Sequence, residues 1–263
     1  MAWLRPTLDQ WNATIPAISQ FVAEQPGRAV GLYVSTMKPI YAGPEGPLPA
    51  ASLTKIPLAV AALGLLGKSP LIHGQTVADE LRLTRYPSIL GAFPPGTSLS
   101  AETIVGLSLI SSDNDCANWL IERLPQDAFS AVCHELGLTQ TILGSGFSDD
   151  ECTAEGRANL MSIRDAISLL RTLHDDARLE PVERLLRDNL RNQRIPGLLE
   201  DAFPVAHKTG TLMGVAADIG LLHSSYGSVA LAVLSDQQPD VHATSAAIAR
   251  LAYAVCSELS LVP

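Results

Sequence analysis

Apolar residues recur along the first 25 positions at Leu8, Trp11, Ile15, Ile18 and Phe21, a spacing that predicts an amphipathic helix. Pro16 is expected to kink it and Pro26-Gly27 to end it. Arg28–Val34 then reads as a strand, with a short second strand near Pro39-Ile40-Tyr41. Gly43, Pro44, Gly46, Pro47 and Pro49 form an irregular loop that leads into Ala50-Ala51-Ser52-Leu53-Thr54-Lys55. The eleven residues from Ile56 to Leu66 carry no charge, so a helix there is apolar on every side and belongs in a core. Residues 67–99 read as loop and short helix, broken at Pro94-Pro95-Gly96. Ser100 is an N-cap candidate for a helix to about Ile110, and Pro125 opens a helix that Gly137 closes. Ser162 to Asp165 reads as a capping box before a helix through Leu173, and a further helix follows Pro181.

The pattern changes after Phe203. Val205–Thr211, Val215–Leu222 and Val229–Leu234 are β-type runs joined by short turns, which predicts an antiparallel meander. A last helix runs from about Asp240 to Glu258. The expected architecture is an α/β fold of the α+β type. About five antiparallel strands, two N-terminal and three C-terminal, are covered by both terminal helices. One domain spans 1–263, with a sheet subdomain of about 1–51 plus 201–263 and an inserted helical subdomain of about 52–200. Ser52 leaves the sheet half at the seam, where pockets favour forming.

Composition narrows the chemistry. A net charge of −9 argues against nucleic acid and anionic membranes, both of which select basic patches. No run reaches the roughly 18 apolar residues of a membrane helix, and Met1–Pro6 has no signal-peptide pattern. The expected location is therefore cytoplasmic, or periplasmic or secreted if a signal was removed; a monomer is expected. Cys116, Cys133, Cys152 and Cys256 show no Cys-x-x-Cys spacing, which disfavours a structural zinc site. The chain has no Gly-x-Ser-x-Gly elbow, no zinc-protease signature at His134-Glu135 and no Walker-type loop.

What remains is serine chemistry. Ser52 and Lys55 lie three apart, so on a helix both reach one face. A lysine can take the hydroxyl proton only if burial and a second cation leave it neutral. Ser-x-x-Lys alone is a weak pattern. Two further tripeptides follow it: Ser112-Asp113-Asn114 between two helices, and Lys208-Thr209-Gly210 in the first strand of the meander. Each alone reads as an ordinary cap or an edge-strand charge. Together, in this order, they resemble the penicillin-recognising serine hydrolases, the class A β-lactamases and D-alanyl-D-alanine peptidases, over almost the whole chain.

The resemblance implies that Ser52 is acylated with Lys55 as base, while Ser112 passes the proton to the leaving nitrogen. Asn114, Lys208, Thr209, Gly210 and Thr211 then hold the substrate, and Tyr86 forms an aromatic wall at the pocket mouth. The backbone N–H groups of Ser52 and Thr211 would form an oxyanion hole. No metal or organic cofactor is needed, and the partner is a small molecule, a β-lactam or a D-Ala-type peptide. For deacylation the family's hydrolytic members use a loop glutamate with an asparagine four residues on. Glu155, followed by Asn159, fits that spacing, Glu151 is an outside candidate, and Asn118 matches the loop's anchoring asparagine. Family members often carry Arg where this chain has Ala216. The expected function is β-lactam hydrolysis. One alternative is a D-alanyl-D-alanine peptidase or small-ester hydrolase that penicillins acylate and leave slowly; a further one is a non-catalytic ligand-binding member.

Overall fold

The computed structural model describes residues 1–67, 72, 74–81, 87–144, 146–147, 158–200 and 203–262. Five strands build the main sheet: β1 (Arg28–Tyr33), β2 (Ile40–Ala42), β3 (Val205–Leu212), β4 (Val215–Ser224) and β5 (Gly227–Ser235). Their spatial order is β2-β1-β5-β4-β3, and every neighbouring pair is antiparallel. The meander is therefore as the turns predict, and β1 closes it by pairing with β5 from Arg28↔Ser235 to Tyr33↔Ala230.

Strands β1 and β5 are buried at every position, because helices cover both faces of the sheet. On one face lie the terminal helices α1 (Leu8–Glu24) and α8 (Val241–Glu258), which pack on each other. Their core joins Trp11, Ile18 and Phe21 to Leu231, Val233, Ile248 and Val255. The sequence placed Leu8 and Ile15 on the packed side of α1, and both are exposed. The buried row is instead Trp11, Thr14, Ile18 and Phe21, whose 3- and 4-residue steps keep to one helical face. Pro16 sits within α1.

The opposite face carries the larger core and the remaining helices. These include α2 (Lys55–Ala62), α3 (Ala101–Ile110), α4 (Asn114–Arg123), α5 (Ala128–Glu135), α6 (Ile163–Asp175) and α7 (Glu180–Arg187). All eight residues of α2 are buried, as an all-round apolar helix requires. It stops at Ala62 rather than Leu66, with Gly64 taking a left-handed φ of +60° in the turn beyond. Helix α6, within the stretch expected as the helical insertion, packs directly on β1, β4 and β5. Its cap is half of the expected box: Ser162 Oγ accepts from Asp165 N. The Asp165 carboxylate turns away to bind Thr139 N, Gln140 N and the Thr141 hydroxyl. That moves a carboxylate from capping duty to anchoring the turn that feeds the loop beside the cleft.

Candidate active site

The Ser52 turn is wedged between β3 and α2. Residues Ala51–Thr54 form a single 3-10 turn, and α2 begins at Lys55, so the two motif residues straddle a helix junction rather than share one helix. Ala51, immediately before Ser52, has φ +47°, and Ser112 has φ +60°. Left-handed backbone at non-glycine residues costs of order 1–3 kcal/mol each and persists only where the surroundings enforce it. Here it flanks the reacting groups. The wedge also explains Gly210: a Cβ there would lie 2.5 Å from the Ala50 carbonyl oxygen. Only glycine lets β3 pass this close to the turn.

Lys55 is 0 % exposed, and its Nζ faces the Ser112 loop. It donates to Ser112 O (2.7 Å), Asn114 Oδ1 (2.7 Å) and Asp113 O (3.2 Å). Three acceptors match the three protons of an ammonium, so losing one proton frees a lone pair. Burial drives that loss and lowers the Lys55 pKa to about 7, opposed chiefly by the Asp113 carboxylate. Because Asn114 Oδ1 accepts from Lys55, its NH2 group is left to donate elsewhere.

Lys208 is the second buried amine, 0 % exposed. Its Nζ donates to Ser112 Oγ at 2.8 Å and to Thr209 O at 3.0 Å. Burial, followed by the nearby Lys55 and Arg191 charges, holds its pKa well below the ordinary lysine value. Ser112 thus ties the two amines together, through its carbonyl to Lys55 and its hydroxyl to Lys208. Having accepted from Lys208, that hydroxyl keeps its own proton free to donate.

Asp113 holds the loop. Its carboxylate caps α4 at Cys116 N (3.0 Å) and binds Ser88 Oγ (2.6 Å) and Ile89 N (3.1 Å). The tripeptide is therefore both a helix cap and part of the site.

Ser52, Ser112, Asn114, Thr209 and Thr211 all line one cleft of about 280 Å³. The three motifs meet as the sequence indicated. Tyr86, Glu151 and Glu155 lie outside the described residues; Pro87 and Asn159, which flank those stretches, both reach the cleft wall. Among the described residues, no carboxylate lines the cleft.

Three contributors escaped the sequence reading. Phe147 is buried and lines the cleft, with the Lys55 Nζ 4.5 Å from its ring centre. Its backbone N–H donates to Asn118 Oδ1 at 2.7 Å, so Asn118 does anchor a loop. The loop approaches so closely that a Cβ on Gly146 would lie 2.9 Å from that oxygen. Asn159 Oδ1 accepts from Gly144 N, and its carbonyl accepts from Ala50 N, tying this loop to the Ser52 turn. Arg191 lines the opposite wall, and Arg194 lies beneath β3. No motif marks Phe147, Arg191 or Arg194; only long-range packing brings them to the site.

Comparisons with known proteins identify the family and the fold. The sequence profile of the Beta-lactamase enzyme family matches residues 14–259. A beta-lactamase regulatory protein, BlaB of Streptomyces cacaoi, is 24% identical over 266 residues, spanning 79% of this chain and 85% of that protein. A beta-lactamase from Sphaerobacter thermophilus superposes with a TM-score of 0.80 at 23% identity, covering 96% of this chain and 98% of that one. The structure of PBP-A gives 0.79 at 22% identity, covering 98% and 100%. A variant of PBP-A with the same TM-score class, 0.78, was solved as an acyl-enzyme complex with penicillin G.

Proposed function

The chain belongs to the beta-lactamase enzyme family, and from that membership we propose a serine acyl-transfer hydrolase that β-lactams acylate at Ser52 and leave slowly. Its turnover substrates are then D-alanyl-D-alanine-type amides or small esters. The neutral Lys55 amine takes the Ser52 hydroxyl proton as Oγ attacks the carbonyl carbon. The backbone N–H groups of Ser52 and Thr211 receive the oxyanion, each worth about 3–4 kcal/mol in such sites. Collapse breaks the C–N bond, and the Ser112 hydroxyl gives its proton to the leaving nitrogen. The Lys55 ammonium supplies the replacement. Asn114, Lys208, Thr209 and Thr211 orient the substrate, and Gly210 lets β3 come close enough to do so.

One observation supports slow over fast release. Phe147, anchored through Asn118, sets an aromatic ring against the amine that a deacylating water would have to approach. A water there needs two or more polar partners to be held, and a phenyl ring supplies none. Fast hydrolysis through Glu155 is the competing outcome, and a ligand-binding, non-catalytic role is the third. Labelling with a fluorescent penicillin tests the acylation step: the wild type should label and Ser52→Ala should not. Equal labelling of the two, or none of the wild type, would contradict the proposal.

A further inference from the structure

The first residues of the chain are strapped across β5. Ser228 N donates to Ala2 O and Leu4 N donates to Ser228 O, both at 2.9 Å, so Trp3 runs parallel to that strand. Gly227 makes room for the strap: a Cβ there would lie 2.6 Å from Leu4 N, and its φ of +136° excludes most side chains. The Trp3 indole is the anchor. Its Nε1 donates to Asp175 Oδ1 at 2.7 Å, and its ring meets Tyr33 edge-on at 5.0 Å and the His174 ring at 4.2 Å. Next to it, two imidazoles lie near one buried carboxylate. His174 on α6 and His223 on β4 are stacked, with ring centres 6.1 Å apart. His223 is buried; its Nδ1 lies 2.9 Å from Ser228 Oγ and its Nε2 3.3 Å from Glu183 Oε1 on α7. His174 Nε2 is shut off from water and has no hydrogen-bond partner among the described residues.

We propose that Ala2–Leu4 form an acid-released strap, in which a proton taken up from water by His174 undocks Trp3 and lets the segment leave β5. A proton on His223 faces the Glu183 carboxylate, whereas an N–H at His174 Nε2 is buried without an acceptor and carries its full desolvation cost. Burial accordingly holds the His174 pKa below the ordinary histidine value; Glu183 and Asp175 act against it, while the Met1 amino group and His223 reinforce it. The other charged groups around the pair are engaged: Arg187 pairs with Glu183, and the Arg171 guanidinium stacks 4.3 Å from the Tyr33 ring centre. Contact with the Trp3 ring favours an imidazolium and offsets part of the cost. The docked strap therefore favours neutral His174. The released form binds the extra proton and gains as pH falls through the ordinary histidine value of about 6.5. None of these residues lines the cleft, so the device is independent of the acyl-enzyme chemistry.

The test follows the indole N–H signals of the full chain by proton–nitrogen NMR from about pH 8 to about pH 5, above the ordinary carboxyl range. Trp3, Trp11 and Trp119 give three signals, and Trp3→Phe assigns the first. The Trp3 signal should show a hydrogen-bonded shift and slow exchange at the alkaline end and move to the free-indole position in acid. Trp11 and Trp119 should stay in place. One linked proton changes the docked-to-free ratio by at most about tenfold per pH unit. The His174 ring, followed by its carbon-bound proton, should titrate below the ordinary histidine midpoint and in step with Trp3. His174→Phe keeps an aromatic neighbour but takes up no proton, so its Trp3 signal should stay docked across the range. Asp175→Asn keeps an oxygen acceptor without a titrating carboxyl, and should release as the wild type does. The proposal is overturned by a wild-type Trp3 signal that does not move, by equal release in His174→Phe, or by release abolished in Asp175→Asn. A wild-type His174 midpoint at or above the ordinary value overturns it too, whether or not the variants fold.

Discussion

Phe147→Glu should turn a persistent penicilloyl-enzyme into a transient one. The Phe147 backbone is held by Asn118, so the substituted side chain starts from the same anchored position facing Lys55. A carboxylate there would pair with the Lys55 amine and give a water both an acceptor and a base. General-base assistance of this kind contributes roughly 10²–10⁴-fold, so the adduct's half-life should fall at least about 100-fold. The check is intact-mass decay of the benzylpenicillin adduct after removal of free drug, with penicilloic acid as product. Burying a carboxylate unpaired would be costly, but the adjacent amine compensates it, and a folded variant is expected. An adduct as durable as that of the wild type would refute the view that this ring is what keeps water out.

Lys55→Met should lower the acylation rate by about 10²–10⁴-fold, because Ser52 loses its proton acceptor while the apolar stem still fills the core. The pH profile identifies the group. Only the neutral amine can accept a proton, and the Lys55 pKa stands at about 7. Acylation should therefore fall as pH drops through about 7 and level off above it. Asp113 raises that pKa, so Asp113→Asn should move the acid limb to lower pH. Its contacts to Ser88 and Ile89 also change, so the position of the limb is the readout, not the plateau rate. A limb that stays in place in Asp113→Asn would assign the titration to another group.

The parts of the site that the sequence displays are those built by local chemistry. Ser52, Lys55, Ser112, Asn114, Lys208 and Thr211 occur in short motifs whose spacing reflects one turn, one cap and one strand. The meander was equally legible, since β3 to β5 are continuous apolar runs separated by tight turns. Phe147 and Arg191 were not, because each side chain's place depends on a distant partner: Phe147 on Asn118, and Arg191 on Ser111. Nothing near either residue in sequence announces that contact. Leu8 and Ile15 show the opposite failure, in which an apolar residue near a periodic row was assigned to it although the helical rotation carries it to solvent. Ala51 and Ser112 likewise adopt left-handed backbone that their residue types do not suggest, because close packing at the cleft enforces it.

Intact-mass spectrometry of the wild-type protein mixed with benzylpenicillin, sampled from seconds to hours, tests the central claim most directly. The account predicts one penicilloyl group per chain on Ser52 that forms quickly and is still present at the last time points, with little penicilloic acid released. An adduct that vanishes within minutes while penicilloic acid accumulates would contradict slow release and return the water-activating role to Glu155; no adduct at any time would contradict acylation itself.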